Sequence, residues 1–248
     1  MSARLTSVTT SLPDLGTILS VWAHPDDESY CCAGLMADAV RRGHRVVCIT
    51  ATRGELGSTD ESRWPPGQEL AAVRTRELEA CLGVLGITEH HWLDYPDGGC
   101  ADVDDDEAIA RIRALADEVQ PDTVLTFGPD GATWHPDHIA VSRWATRAVA
   151  GTKTAVHYQS TTSEWSDFMS GFMDPADVMM EDKEVPVFPI SALSIFVQLE
   201  GELLDLKYDA MLCQESQIGP LLAALGPDNY HRMLAEESFR PAADEPVG

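Results

Sequence analysis

Apolar, β-branched runs alternate with helical patterns through the first two-thirds of the chain. This alternation is typical of a doubly wound parallel sheet, in which strands are buried on both faces and helices return the chain between them. The pattern predicts five strands separated by four helices. The strands are predicted at residues 17–23, 45–51, 91–93, 123–127 and 154–158. The helices are predicted at residues 28–42, 69–85, 104–120 and 137–150.

The regular alternation ends near residue 160. Residues 160–189 hold prolines and irregularly placed methionines and acidic residues, which predicts a variable loop excursion or lid. A last strand is predicted at residues 195–199, followed by a helix at 200–215 and a polar tail. Because no repeat or linker divides the sequence, we expect one α/β domain over residues 1–248, Rossmann-like, with a mostly parallel sheet and helices on both faces.

The composition excludes several classes of partner. There are 17 Lys and Arg against 41 Asp and Glu, which gives a formal net charge of −24. Nucleic acid and anionic lipid surfaces both need clustered cations, so neither is an expected partner. No stretch has the apolar length of a membrane span or of a signal peptide. The six cysteines lack C-x-x-C spacing, which indicates reduced thiols and a cytoplasmic protein.

Two histidine-rich motifs follow the first and the fourth predicted strands. The first is A-H-P-D-D-E at residues 23–28, and the second is W-H-P-D-H at residues 134–138. In a parallel sheet of order 3-2-1-4-5, strands one and four are neighbours at the point where the winding reverses, and ligands bind beyond their carboxyl ends. The two motifs are therefore predicted to face each other across one crevice.

The two motifs together supply the ligands of a catalytic metal site. Such zinc sites hold the ion with three imidazole or carboxylate ligands and leave a fourth position open. His24, Asp27 and His138 meet that requirement. Three successive carboxylates at a strand end also need a cation nearby, because like charges raise one another's pKa. The predicted ion is Zn²⁺, although the same ligands accept Fe²⁺, Co²⁺ or Mn²⁺.

The remaining groups of the motifs predict acid–base chemistry. Asp26 is not needed as a ligand, so it is predicted to take a proton from the attacking water as general base. His135 is placed to protonate a departing amine or to stabilise an oxyanion. Asp137 either orients the His135 ring or is an acidic residue favoured in the first turn of any helix. The other histidines are predicted to be structural or surface residues, except His157, which lies closer to the crevice.

These residues resemble the PIG-L/LmbE-like family of zinc-dependent de-N-acetylases. Both hallmarks of that family, A-H-P-D-D-E and H-P-D-H, stand here unaltered. The similarity continues through T-R-G-E-L-G at residues 52–57, R-T-R-E-L at 74–78 and L-G-I at 85–87, and it covers roughly residues 17–150. The resemblance implies a Rossmann-like fold and a metal-dependent hydrolase. Its implied substrate is an N-acetylglucosamine-type amino sugar or a related small molecule, from which the enzyme removes an N-acetyl group.

The resemblance also implies roles for individual residues. By motif position it assigns the same three ligands, the same general base and the same acidic or electrophilic partner as above. It further implies that Glu55, Arg74 and Asp97 hold sugar hydroxyls. The alternative for Arg74 is a surface ion pair with Glu77 one helical turn away.

Some alternatives remain open at this point. The enzyme could instead be an amidase that cleaves a larger acyl group, or the chain could be a non-catalytic metal- or ligand-binding protein. Trp165, Phe168 and Phe172 of the excursion either line an acyl or aglycone pocket or pack the core. Related sugar deacetylases use a tyrosine near the metal, where this sequence has Thr133 and Trp134. A nucleotide-binding site is excluded, because the first turn lacks G-x-G-x-x-G.

Overall fold

The strands and helices follow the apolar pattern of the sequence. The computed structural model describes residues 12–174, 179–180 and 183–242. In these residues the strands are β1 (Ile18–Trp22), β2 (Val46–Thr50), β3 (Glu89–Trp92), β4 (Thr123–Thr126), β5 (Ala155–Gln159), β6 (Thr161–Thr162), β7 (Val187–Phe188), β8 (Ile195–Gln198) and β9 (Glu236–Pro241). The helices are α1 (Asp27–Arg41), α2 (Gln68–Leu85), α3 (Asp105–Val119), α4 (Gly131–Trp134), α5 (Pro136–Ala148), α6 (Ser163–Met169), α7 (Gly201–Leu212), α8 (Glu215–Leu225) and α9 (Pro227–Met233).

Seven of these strands form one sheet in the order β3-β2-β1-β4-β5-β9-β8. The first five are parallel and stand in the predicted order, so the Rossmann-like arrangement is confirmed. Every residue of β1, β2 and β4 is buried, as expected for strands covered by helices on both faces. Strands β9 and β8 extend the sheet in antiparallel fashion beyond β5. Their addition makes a mixed sheet that is mostly parallel.

Local signals explain where the helices begin and end. Helix α2 stops at Gly86, which adopts a left-handed φ of 77° that suits glycine. The acidic run before α3 provides its N-cap, since the Asp104 carboxylate accepts hydrogen bonds from the backbone N–H groups of Asp106 and Glu107. Among the helices of the described residues, none combines the length and the apolar character that a membrane crossing requires.

Two sequence predictions in the last third of the chain need correction. The excursion at residues 160–189 is not loop throughout, because α6 and the small β6–β7 pair lie in it; residues 175–178 and 181–182 lie outside the described residues. The predicted strand at 195–199 is confirmed as β8, and the helix at 200–215 as α7. The polar tail is wrong: α8, α9 and β9 follow, and β9 pairs with both β5 and β8.

Helix α1 consists of two segments joined at Cys32, where the backbone leaves the helical region (φ −151°, ψ 20°). The break removes helical partners from nearby backbone groups. The Glu237 carboxylate of β9 accepts hydrogen bonds from the N–H groups of Gly34 and Leu35, at 2.7 and 2.8 Å. Lys207 of α7 donates to the Tyr30 carbonyl at 2.8 Å and pairs with Glu237 at 2.9 Å. The C-terminal elements thus stabilise the helix that begins at the first motif.

Candidate metal centre

Parallel pairing of β1 with β4 brings the two motifs to one edge of the sheet. The register pairs Ile18 with Thr123 and Ser20 with Leu125, so both strands end on the same side. The motif at residues 23–28 forms the turn from β1 into α1, and the motif at 134–138 begins α5. His24 Nδ1 lies 3.1 Å from His138 Nε2, although 114 positions separate the two residues. The predicted convergence of the two loops is therefore present.

Hydrogen bonds on the outer nitrogens orient both imidazoles. His138 Nδ1 donates to the Gly131 carbonyl at 2.9 Å, and His24 Nε2 faces Asp97 Oδ1 at 3.1 Å and Asp137 Oδ2 at 3.3 Å. A ring that donates through one nitrogen presents the lone pair of the other. When both rings are neutral, the two inner nitrogens therefore direct lone pairs at nearly the same point. That arrangement is repulsive unless a positive charge lies between them.

Asp27 completes a set of three donors around this point. One of its carboxylate oxygens lies 3.7 Å from His24 Nδ1, and the other lies 3.7 Å from His138 Nε2. Tetrahedral coordination with bonds of about 2.1 Å places ligand atoms about 3.4 Å apart. The 3.1 Å between the two nitrogens, and the 3.7 Å from each nitrogen to a different oxygen of Asp27, are close to that spacing. Both the chemistry and the spacing of this donor set fit a divalent metal ion.

The electrostatics of the cluster also favour a cation. Burial lowers the pKa of His24, but hydrogen bonds to Asp137 and Asp97 and the charge of Asp27 raise it, to about 10. Burial lowers the pKa of His138 well below its usual value, and the neighbouring His24 charge lowers it further. Positive charge on the His24 ring is thus stabilised, while His138 stays neutral. A neutral imidazole is the form that binds a metal.

Strained backbone occurs in both motif loops. Asp26 has a φ of 105°, and Ala132 and Trp134 have φ values of 61° and 59°. Such conformations cost about 1 to 3 kcal/mol each and persist where the surroundings enforce them, often at functional sites. Gly131, also left-handed, allows close approach, because a Cβ there would lie 2.9 Å from the Cβ of His138. A glycine at this position lets the carbonyl reach the His138 ring.

Asp26 stands beside the donor set without belonging to it. Its Oδ2 lies 3.3 Å from the Arg74 guanidinium, which is nearly buried. Burial raises the pKa of Asp26, Arg74 lowers it and the Asp27 charge raises it, with a result of about 7. Glu28, which is fully buried, has a pKa raised to about 8, first by burial and then by the charges of Asp26 and Asp27 against a hydrogen bond from Ser29. The motif pattern alone assigned no separate role to Glu28.

His135 is the N-cap of α5 and stands next to both candidate histidine ligands. Its ring centroid lies 4.8 Å from those of His24 and His138. The backbone N–H of Asp137 donates to His135 Nδ1 at 3.1 Å, so the neutral ring carries its proton on Nε2. Burial lowers the pKa of His135, and the charge of His24 lowers it further, which favours the neutral form. The ring can therefore donate a hydrogen bond through Nε2.

The Asp137 side chain does not orient the His135 ring, which was one of its two predicted roles. Its carboxylate faces His24 and accepts hydrogen bonds from the N–H groups of Gly98 and Cys100, at 2.8 and 3.0 Å. It therefore orients His24, whereas the hydrogen bond between Asp137 and His135 is donated by the Asp137 backbone N–H. Burial raises the pKa of Asp137, but the hydrogen bond and charge of His24 lower it overall. The position in the first turn of α5 suits the helix dipole as well.

The three residues expected to hold sugar hydroxyls lie beside the cluster and have partners within the protein. Asp97 contacts His24 and accepts a hydrogen bond from the N–H of Leu56 at 2.7 Å. Glu55 Oε1 accepts from the N–H of Asp97, while its buried Oε2 has no partner among the described residues. Arg74 donates to the carbonyls of Gly54 and Pro25. The surface pair with Glu77 is therefore wrong for Arg74. Contact of these residues with a sugar stays a prediction.

A cavity of about 670 Å³ adjoins the cluster at Asp26, Asp27 and His138. We call it the chamber. Trp165 lines it, whereas Phe168 and Phe172 are not among its lining residues. Its wall also includes residues of α8 and α9, which sequence analysis missed because it predicted a polar tail there. The apolar spacing of Leu221, Leu222 and Leu225 was an available signal for a helix.

The other predicted residues near the crevice lie further from the donor set. Thr133 lines the chamber, whereas Trp134 donates to the Glu184 carbonyl at 3.2 Å and carries the Lys183 ammonium over its ring. His157 bonds Ser194 Oγ at 2.8 Å and is not a lining residue of the chamber. These contacts hold the side chains of Trp134 and His157 away from the candidate metal centre.

Similarity to known proteins agrees with this geometry. Residues 19–149 match the PIG-L family, described as GlcNAc-PI de-N-acetylase. The N,N'-diacetylchitobiose deacetylase from Pyrococcus horikoshii superposes with a TM-score of 0.61 at 21% identity, over 92% of this chain and 84% of that one. At that identity the superposition supports the fold. The family match covers both motifs and the strands that carry them.

Curated relatives extend the match. The 1D-myo-inositol 2-acetamido-2-deoxy-alpha-D-glucopyranoside deacetylase of Kineococcus radiotolerans is 36% identical over 159 residues, which are 53% of this chain and 44% of the relative. In several such alignments the chain spans about half the length of the relative. The enzyme of that name from Saccharomonospora viridis is 30% identical over 246 residues, 86% of this chain and 87% of the relative. With two motifs, sheet order and sequence in agreement, this chain belongs to the PIG-L family.

Proposed function

We propose that this protein is a metal-dependent hydrolase that removes an N-acyl group, in the simplest case acetyl, from an amino-sugar-containing small molecule. The observation that carries the proposal is the approach of the inner ring nitrogens of His24 and His138, which lie 3.1 Å apart and are flanked by the Asp27 carboxylate. Asp26 and His135 stand beside this donor set although metal binding requires neither. The names of the curated relatives supply the amino sugar.

His24, Asp27 and His138 would hold the ion, and we propose Zn²⁺, with Fe²⁺, Co²⁺ or Mn²⁺ chemically acceptable to the same ligands. When bound, a divalent ion supplies Lewis acidity, which makes water more acidic and polarises an amide carbonyl. Asp97 and Asp137 fix the ring of His24, and the Gly131 carbonyl fixes that of His138. Such outer partners maintain the orientation that the ligands need.

Asp26 acts as the general base in this proposal. A base is most effective when its pKa lies near the working pH, and the pKa of Asp26 is raised to about 7. Its carboxylate takes a proton from the attacking water, and Arg74 holds the carboxylate in position at 3.3 Å. His135 donates from Nε2, first to the developing oxyanion and then to the departing nitrogen. Glu55 Oε2 is the carboxylate oxygen that we propose for a sugar hydroxyl, with Asp97 and Arg74 close to it.

Substitution of Asp26 tests the mechanism separately from metal binding. The Asp26→Asn variant is expected to keep its metal content by elemental analysis while kcat falls about 10²- to 10⁴-fold, the usual contribution of a general base. Asp94→Asn is the matched control, because Asp94 is also an aspartate with a left-handed φ and is exposed. Turnover would be followed by mass spectrometry on a panel of N-acetylated sugars and conjugates.

The outcomes separate the candidate functions. Parent-like turnover in Asp26→Asn would remove Asp26 from the mechanism. A metal-loaded protein that hydrolyses none of the amides would instead support the non-catalytic alternative. A metal-free protein with ligand variants that bind zinc as well as the parent would overturn the metal centre itself.

A further inference from the structure

The chamber joins the candidate metal centre on one side only. Asp26, Asp27 and His138 form part of its wall, so a group that enters the chamber reaches the reacting atoms. Its volume of about 670 Å³ falls within the range of small-molecule sites. An acetyl group occupies a small part of such a space. The size of the chamber therefore calls for a larger occupant next to the scissile amide.

The wall of the chamber is mainly apolar. Four methionines line it, at positions 169, 173, 179 and 233, together with Trp165, Leu221 and Leu234. Met169 and Met233 are almost fully buried. Polar side chains such as Gln159, Gln217 and Glu236 also line the chamber, but burying sugar hydroxyls against the methionines, Trp165 and the leucines is costly, because those side chains offer no hydrogen bond to replace water. Methionine side chains adapt their shape to flexible apolar groups, so this wall suits a hydrocarbon substituent.

The two sides of His24 differ in polarity. On the Nδ1 side, Asp26, Asp27 and His138 open onto the chamber. On the Nε2 side stand Asp97 and Asp137, neither of which lines the chamber. Both carboxylates are buried and hold the His24 ring, so the acceptor for a hydroxylated amine on this side is Glu55 Oε2, which has no partner among the described residues and does not line the chamber. The acyl half of the same amide is then left for the apolar chamber.

We propose that the chamber is an acyl-chain subsite and that the preferred substrates are N-acyl amino sugars whose acyl group is a hydrocarbon chain longer than acetyl. This inference rests on the proposed function. The reaction balances as a simple hydrolysis. Water oxygen forms a bond to the carbonyl carbon and the C–N bond breaks. One proton of the water goes to the departing amine nitrogen, and the fatty acid loses the second to the amine or to solvent as it is released as a carboxylate.

Two substrate series distinguish the acyl group from other apolar substituents. In the first, glucosamine carries acetyl, butanoyl, hexanoyl, octanoyl or decanoyl groups. We expect kcat/KM to rise about fourfold per methylene until the chamber is filled, which is the fold-change for burial of one CH₂. In the second, N-acetylglucosamine carries methyl to octyl groups on the anomeric oxygen, and kcat/KM should stay within about twofold of the methyl glycoside.

Leu221 and Leu222 provide a matched pair of variants. They are neighbours on α8 and both are partly buried against the core, but Leu221 lines the chamber and Leu222 does not. Leu221→Trp is expected to abolish the gain in kcat/KM from octanoyl over acetyl, so that the ratio of the two values falls to about one. Leu222→Trp should follow the parent on both substrates. Equal chain-length dependence in both variants would overturn the assignment of the chamber.

A binding measurement needs no variant and no turnover. Calorimetry of the metal-loaded parent protein should show octanoate binding at least about a hundredfold more tightly than acetate, since six additional methylenes are buried. Equal affinity would overturn the subsite. Hydrolysis of N-acetylglucosamine compounds without dependence on acyl length, or with a rise only in the glycoside series, would overturn this inference and leave the proposed function standing. Failure to hydrolyse any amide would refute the proposed function itself.

Discussion

The ion pair between Lys207 and Glu237 gives the sharpest test of how the C-terminal elements support the first motif. Both side chains are fully buried, with 2.9 Å between Nζ and Oε1. Glu237 also accepts the two backbone N–H groups freed by the break in α1, and Lys207 donates to the Tyr30 carbonyl. Substituting Glu237→Gln removes one acceptor oxygen and leaves the Lys207 charge buried without its counter-ion.

The expected cost follows from the burial of both charges. Removing one partner of a buried pair typically destabilises a protein by about 3 to 5 kcal/mol, because the other charge is left uncompensated. Lys207→Met should cost a similar amount, since it strands the carboxylate and the Tyr30 carbonyl. In the double variant no charge is stranded, so its cost should fall below the sum of the single costs by about 2 kcal/mol or more.

The assay is urea unfolding of the parent, the two single variants and the double variant. Glu215→Gln is the matched control, because Glu215 pairs with Arg63 on the surface, and both of those side chains are more than half exposed. That substitution should cost less than about 1 kcal/mol. Costs of the two buried substitutions that simply add, or that stay as small as the control, would refute the reasoning.

Three further predictions follow from single contacts. Gly131→Ala should weaken zinc binding about 10- to 100-fold in a metal titration, because it displaces the carbonyl that orients His138. The control is Gly151→Ala, at a left-handed glycine with open space around it, which should leave the zinc affinity unchanged. Burial lowers the pKa of His90 to about 4, so below pH 6.5 the unfolded state binds more protons than the folded state. The free energy of unfolding should therefore fall by about 2 to 3 kcal/mol between pH 7 and pH 4. Urea unfolding of His90→Gln at the same pH values should lack this part of the loss. Zinc at 100 times its dissociation constant should raise the unfolding free energy by about 2.7 kcal/mol, a gain that chelation reverses and that an Asp27→Ala variant at the same zinc concentration should not show.

The parallel half of the sheet was predictable because its signals are local. Each of β1, β2 and β4 is a short apolar run, and burial on both faces requires such runs. Glycines or prolines close the helices between them. The third strand was placed two residues late, since β3 is only half-buried along its length and its apolar residues lie at its C-terminal end.

The C-terminal strand β9 was not predictable in the same way. Its sequence, E-E-S-F-R-P, contains one large apolar residue, Phe239, and reads as a polar tail. Glu237 and Ser238 are nevertheless buried, because their partners are Lys207 and Ser160, far away in sequence. A buried polar strand of this kind is recognisable only when its hydrogen-bond partners are known.

The candidate site likewise has residues that the sequence predicts and residues that only the structure identifies. His24 and Asp27 share one turn, and strand order brings His138 to it, so the donor set followed from motif and topology. The groups that orient these residues did not. Gly131 and Asp97 contact the histidines through loops whose shape the sequence pattern does not specify. Asp97 was expected at a sugar, yet its contact with His24 gives it an orienting role that only the structure reveals.

The distribution of carboxylates around His24 explains how one cluster can provide both fixed and reactive acids. Burial raises the pKa of Asp97, but the hydrogen bond and charge of His24 lower it to about 2, so its carboxylate stays charged and holds the ring. Asp26 lacks such a bond from His24; burial and the charge of Asp27 outweigh Arg74, and its pKa rises to about 7. When neighbouring carboxylates have different surroundings, their pKa values differ, and the one with a pKa near neutrality is the one that exchanges protons. The pKa of Asp26 thus supports its proposed role as general base, whereas that of Asp97 keeps its carboxylate charged beside His24.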